Sequence, residues 1–258
     1  MENVMLEIKN NIACLTINRQ EQLNTFNYEV LTELETALDD IKLNKEVRVV
    51  IVTGAGEKAF SAGADLKERR TLTEKQVRRN VNKIRDVFLT LEELPQPSIA
   101  AINGYALGGG FELALACDFR IAVDDATLGL PEVSWAIVPG AGGTQRLPRL
   151  IGISKAKEWI LTARKVKAQE AVLMGAVNKS VPREKLWEEV NALAYEMMNN
   201  APLAVAQAKY AMNNGSNTDI YSGLKIESQA YERIIPTKDR IEALEAFKEK
   251  RKPQFRGE

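Results

Sequence analysis

The chain has 258 residues, 45% hydrophobic and 27% charged, enough to bury the substantial core of an enzyme-sized protein. Lys plus Arg and Asp plus Glu both number 35, so the formal net charge is zero and the basic footprint of a nucleic-acid binder is missing. Histidine is absent, which excludes Ser–His and Cys–His nucleophile pairs and His-based metal sites and leaves proton chemistry to Asp, Glu, Lys, Tyr or Cys.

At the N-terminus, MENVMLEIKN has no apolar h-region, and no later stretch reaches the ~18 apolar residues of a membrane span. A cytoplasmic protein without a membrane segment is therefore expected, its Cys14 and Cys117 buried and reduced. MLEIKNNIACLTINR predicts two short strands around a turn at Lys9-Asn10-Asn11. In NYEVLTELETALDDIKLN, apolar residues at Val30, Leu31, Leu34, Leu38 and Ile41 predict an amphipathic helix. VRVVIVTG reads as a strand buried on both faces, AGEKAFSAGADLKERR as a loop, and Thr73 to Glu93 as a charged helix stopped by Pro95 and Pro97. SIAAIN is a second buried strand, followed by NGYALGGGFELALACD, a short helix opened by glycines.

DFRIAVDDATLGL reads as a strand, a turn at Asp124-Asp125 and a returning strand, with short helices at 140–150 and 154–163. From about Lys167 onward the pattern is mostly helical. Alternating strands and helices with a helical tail predict an α/β core at 1–198 and a helical region at 199–258.

Three loops invite a site. GAGEKA meets the dinucleotide pattern G-x-G-x-x-G/A, but no helix opens directly behind it, so a tight structural turn competes with phosphate binding. PGAGGTQR lacks the Gly-Lys-Ser/Thr of a P-loop. FSAGADL and the Gly108–Gly110 run expose bare backbone N–H groups, the second at a helix start where the first four N–H groups have no intrahelical partner. Two such donors aimed at one point make an oxyanion hole; close packing explains the same glycines equally well. Glu112, the single charge of an otherwise apolar helix, is either ion-paired or functional. Glu132 sits among Leu128, Leu130, Val133 and Trp135, and two strand legs that nearly cancel permit both acids to face one site. Two carboxylates beside an oxyanion hole suit addition of water across a double bond conjugated to a carbonyl, through an enolate.

AFSAGADLK, IAAINGYALGGGFELALACD, LGLPEVSWAIVPGAGGTQRLPRLIG and the closing AFKEKRKPQF, in that order, resemble the enoyl-CoA hydratase (crotonase) family over nearly the whole chain. The resemblance implies an α/β fold, a crotonase-like spiral of ββα units with a helical C-terminal trimerisation region, and assembly as a trimer or a dimer of trimers. It implies that Ala64 and Gly109 donate the oxyanion-hole N–H groups, that Glu112 helps deprotonate a water, and that Glu132 supplies the proton to Cα. The substrate would be an acyl-CoA thioester, with no separate cofactor and no metal. Coenzyme A contacts are implied for Lys58, Ala62, Asp65, Leu66 and Lys67, and for Tyr231 and Lys250 near the C-terminus.

DLKER, ALACDFR, GGTQRLPR and IPTKDRIEALEAFKEKR look most like 3-methylglutaconyl-CoA hydratases within that family. Some of those bind RNA through lysines on an early helix. Here the corresponding helix is acidic until Lys42, which argues against phosphate contacts, so no nucleic-acid partner is expected. A substrate carboxylate would need a cation near the acyl pocket, and none is identifiable from the sequence.

Overall fold

A computed structural model describes residues 2–258. β1 (Val4–Lys9) and β2 (Ile12–Ile17) form an antiparallel hairpin whose turn residues Asn10 and Asn11 both take positive φ, a conformation asparagine tolerates better than most side chains. α1 (Tyr28–Leu43) is capped by the Asn27 side chain, which accepts from the Val30 N–H, and buries Val30, Leu31, Leu34, Ala37, Leu38 and Ile41. All six residues of β3 (Val49–Gly54) are buried.

Segment 55–70, expected as a loop, holds a short strand, β4 (Ala59–Ser61), and a single helical turn, α2 (Leu66–Arg69). Both are too short for a periodic pattern. α3 (Glu74–Glu92) follows behind a Thr73–Gln76 capping box. Next come β5 (Ser98–Ile102), β6 (Tyr105–Leu107), α4 (Gly109–Ala116), β7 (Phe119–Val123) and β8 (Thr127–Gly129). α5 (Gly143–Ile151), α6 (Ile153–Leu161), β9 (Lys165–Lys167), α7 (Ala168–Met174), β10 (Lys179–Val181) and α8 (Leu186–Met198) complete the α/β part. α9 (Pro202–Gly215), α10 (Ile220–Ile234) and α11 (Lys238–Glu249) close the chain.

The strands divide between two sheets, β1-β2-β3-β5-β7-β10 and β4-β6-β8-β9. β2, β3, β5, β7 and β10 run parallel in the first; β4, β6 and β8 run parallel in the second. Three successive pairs, β3/β4, β5/β6 and β7/β8, each place their first strand in the large sheet and their second in the small one. Repeating that step gives the spiral. It also corrects the reading of DFRIAVDDATLGL: β8 does not pair back on β7 but crosses to the second sheet beside β6.

α4 lies wholly inside, all eight residues buried, with Phe111 stacked on Trp159 of α6 at 5.5 Å between ring centroids. Both cysteines are free; Cys117 is buried as expected, whereas Cys14 on β2 is only half-buried. Among the described residues no helix is long and apolar enough to cross a membrane.

Candidate active site

A cavity of about 530 Å³ opens where the second strands of the repeats hand over to α2 and α4. Its wall includes Ala62, Ala64, Asp65, Leu66, Gly109, Glu112 and Glu132, so most of the expected residues do meet.

The backbone explains how the two expected donors come together. Phe26 and Ala64 form an isolated parallel bridge, in which Phe26 donates to the Gly63 carbonyl and accepts from the Asp65 N–H. That pattern leaves the Ala64 N–H turned away from its bridge partner. On the other side Gly108 takes φ +54°, ψ −128°, a conformation suited to glycine, and starts α4 with the Gly109 N–H unpaired. The two loops touch: a Cβ on Gly63 would lie 3.0 Å from the Gly109 nitrogen, and one on Gly110 only 2.0 Å from the Ser61 carbonyl oxygen. Glycine at 110 is thus required for β4 and α4 to approach this closely.

The two acids sit in contrasting surroundings. Glu112 Oε1 accepts from the Ala141 N–H at 2.8 Å and the Gly143 N–H at 2.7 Å. Burial pushes its pKa up, while those two N–H groups and the nearby Arg146 charge oppose the shift. Arg146 is itself fixed: it donates to the Ala141 carbonyl at 2.8 Å and to both oxygens of Glu92 at the end of α3, at 3.0 and 2.6 Å. Glu132, on the 3₁₀ turn Glu132–Trp135 after Pro131, is 8% exposed, and neither of its carboxyl oxygens has a hydrogen-bond partner. Burial, and then the charge of Glu112, push its pKa up to about 7. The Glu112 charge thus opposes ionisation of Glu132, which keeps its proton to about pH 7. A Cβ on Gly108 would come within 3.2 Å of Glu132 Oε1, so the second acid faces the glycine turn that presents Gly109.

The rest of the cavity is largely apolar. Val77, Val81 and Ile84 present one face of α3, with Leu72, Ile137 and Val138 around them. In the sequence this stretch reads only as a charged helix; the spacing of Val77, Val81 and Ile84 is the signal that could have shown its apolar face. The peptide N–H groups of Ala141 and Gly143 and the Arg146–Glu92 pair were likewise missed, because backbone donors leave only small residues as a trace.

Other expected contacts fall outside this wall. Lys58 and Lys67 are exposed and do not line the cavity. Asp65 lines it, yet its carboxylate is committed to the local fold. It accepts from the Lys67 and Glu68 N–H groups as the cap of α2 and pairs with Arg19 at 3.0 Å. Burial raises its pKa, but the Glu68 N–H and Arg19 outweigh that and hold it below the ordinary carboxylate value. Tyr231, 67% exposed, belongs to a groove between α9 and α10, and Lys250 caps α11 at φ +56°. Within one chain these two do not join the cavity.

The sequence profile described as enoyl-CoA hydratase/isomerase matches residues 7–258. The chain belongs to that family. It is 44% identical over 252 residues to the short-chain-enoyl-CoA hydratase of Clostridium acetobutylicum, covering 98% of this chain and 97% of the other. It is 45% identical over 251 residues to the human mitochondrial methylglutaconyl-CoA hydratase, covering 96% of this chain and 74% of the relative. The crystal structure of an enoyl-CoA hydratase from Bacillus anthracis superposes with a TM-score of 0.97 at 52% identity, over 99% of this chain and 100% of that one. The protein therefore has the crotonase-type α/β fold of an enoyl-CoA hydratase/isomerase family enzyme.

Proposed function

We propose that the protein hydrates short 2-enoyl-CoA thioesters, 3-methylglutaconyl-CoA among them. The observation that carries this reading is the unequal pair of acids beside two bare N–H groups: Glu112 hydrogen-bonded, Glu132 without a partner and pushed up to about pKa 7. The thioester carbonyl accepts from the Ala64 and Gly109 N–H groups, which stabilise the enolate oxygen as negative charge develops. Ionised Glu112 takes a proton from water as its oxygen bonds to Cβ. Protonated Glu132 gives its proton to Cα. One water is added, and a proton passing from Glu112 to Glu132 restores the pair.

No cofactor enters this scheme, since coenzyme A is part of the substrate. Lys58, Lys67, Tyr231 and Lys250 are proposed to hold its nucleotide end, the last two from a neighbouring subunit. Exposed Met212, Ile220, Tyr221 and Phe247 support self-association through residues 199–258, as a trimer or a dimer of trimers. Mass spectrometry of the product from crotonyl-CoA in ¹⁸O-water tests the reaction. A product heavier by one labelled water is expected, whereas an isomer of unchanged mass would overturn hydration in favour of double-bond migration.

A further inference from the structure

Three groups of the cavity are delivered by the same device. β4 leads to Ala64, β6 to Gly109 and β8 to Glu132, and each strand is entered by a short loop that crosses from the large sheet: 55–58, 103–104 and 124–126. The small sheet itself gives these strands little to fix their register. Two residue pairs join β4 to β6, with an irregularity between them, and two join β6 to β8. A slip by one residue would displace a strand by about 3.3 Å and turn its side chains to the opposite face. Misplacement of reacting groups by about 1 Å is enough to cost a hundredfold in rate.

One side chain reaches all three crossings. Arg183, first residue of the 3₁₀ turn Arg183–Lys185 behind β10, donates through Nη1 to the Glu57 carbonyl at 2.8 Å and to the Asn103 carbonyl at 2.7 Å. Through Nη2 it donates to both carboxylate oxygens of Asp125, at 2.9 and 2.8 Å. The first two crossings also hold each other: the Asn103 amide donates to the Gly54 and Gly56 carbonyls, and the Tyr105 N–H to the Lys58 carbonyl. Among the described residues, hydrogen bonds from 124–126 to either of the other loops run only through Arg183. Its contacts fall at matching places in the three repeats. Glu57 stands seven residues before Ala64, Asn103 six before Gly109 and Asp125 seven before Glu132. Asp125 is 69% exposed, so the ion pair gives little stability by itself. What the guanidinium adds is geometry, a rigid planar fork of donors that an ammonium lacks.

Resting on the hydratase reading, we propose that Arg183 is a positioning residue. By clasping the three crossings it fixes the register of β4, β6 and β8, and with it the meeting of Ala64, Gly109 and Glu132 on one substrate.

The test compares wild type with Arg183→Met, Arg183→Lys and Asp125→Ala. Crotonyl-CoA hydration gives kcat and KM. Isotope-edited infrared spectroscopy of bound butyryl-CoA, labelled with ¹³C in its thioester carbonyl and unable to react, reports how strongly the Ala64 and Gly109 N–H groups polarise that carbonyl. Arg183→Met should lower kcat at least tenfold with KM within about threefold of wild type, and should lose half or more of the carbonyl downshift. Arg183→Lys should fall between the two. Asp125→Ala, which frees the third crossing alone, should lower kcat while keeping the wild-type carbonyl frequency. A purely structural Arg183 would change the unfolding temperature and leave kcat and carbonyl frequency as in wild type; that result in Arg183→Met overturns the proposal, as does a fall in kcat with the frequency unmoved. If Arg183→Met does not fold, Arg183→Lys decides by the same two readouts. Failure of wild type to hydrate crotonyl-CoA would sink the hydratase reading alone, since the infrared comparison needs no turnover.

Discussion

The N-terminal turn of α4 and the 3₁₀ turn after Pro131 each place one glutamate in the same cavity, but they treat it differently. Around Glu112 the chain spends two peptide N–H groups and, behind them, the Arg146–Glu92 pair on holding one carboxylate oxygen. Around Glu132 it provides no donor at all. In the proposed hydration, two acids of the same type would serve as base and acid because their surroundings differ.

Removing the acid should have the largest effect. Glu132→Gln keeps the shape and deletes the proton, and should lower kcat for crotonyl-CoA hydration at least a thousandfold, measured by loss of the conjugated-thioester absorbance. Glu112→Gln should cost a similar factor, though with a different structural consequence. Its amide, if its nitrogen faces the Ala141 and Gly143 N–H groups, repels them, so the 139–143 segment should loosen in hydrogen exchange while that around Glu132 does not.

Gly110→Ala comes next. Its Cβ would meet the Ser61 carbonyl at 2.0 Å, so β4 and α4 must part. Stability should fall by about 2–3 kcal/mol in urea unfolding, with activity down about a hundredfold as the two donors separate.

Arg146→Met should reduce kcat/KM by about tenfold and move the acidic limb of the pH profile upward. Loss of the cation leaves burial to raise the Glu112 pKa with less opposition. Arg146→Lys should restore much of the limb, which a purely packing role would not do.

The remaining effect concerns stability rather than rate. Glu132 has a folded pKa raised above its unfolded value, so the folded state binds the extra proton and ionisation opposes folding as pH climbs from about 4.5 to about 7. Glu132→Gln should therefore be more stable than wild type at pH 8, by up to about 3 kcal/mol, and gain nothing at pH 4. By the same sign, wild-type kcat/KM for hydration should decline above about pH 7, where free Glu132 loses its proton.

Much of this was legible in the sequence. The β-branched run Val49–Val52, the apolar stripe of α1 and the eight-residue apolar helix with one acid announce their burial through composition and period. Glu112 and Glu132 stand out because a charge inside an apolar run needs a reason. Less visible were β4, β6, β9 and β10, each of three residues, whose pairing is set by the turns between them rather than by side-chain period. Arg69, which lines the cavity, could not be singled out by pattern from its neighbours Lys67 and Arg70, of which only Lys67 is marked, and that by the resemblance alone. Only α2, capped by Asp65, turns one of them into the cavity.

The division of labour between the acids is tested most directly by the rate of crotonyl-CoA hydration in Glu132→Gln, with circular dichroism confirming the fold. A loss of at least a thousandfold in kcat is the predicted result; a rate within tenfold of wild type would contradict it.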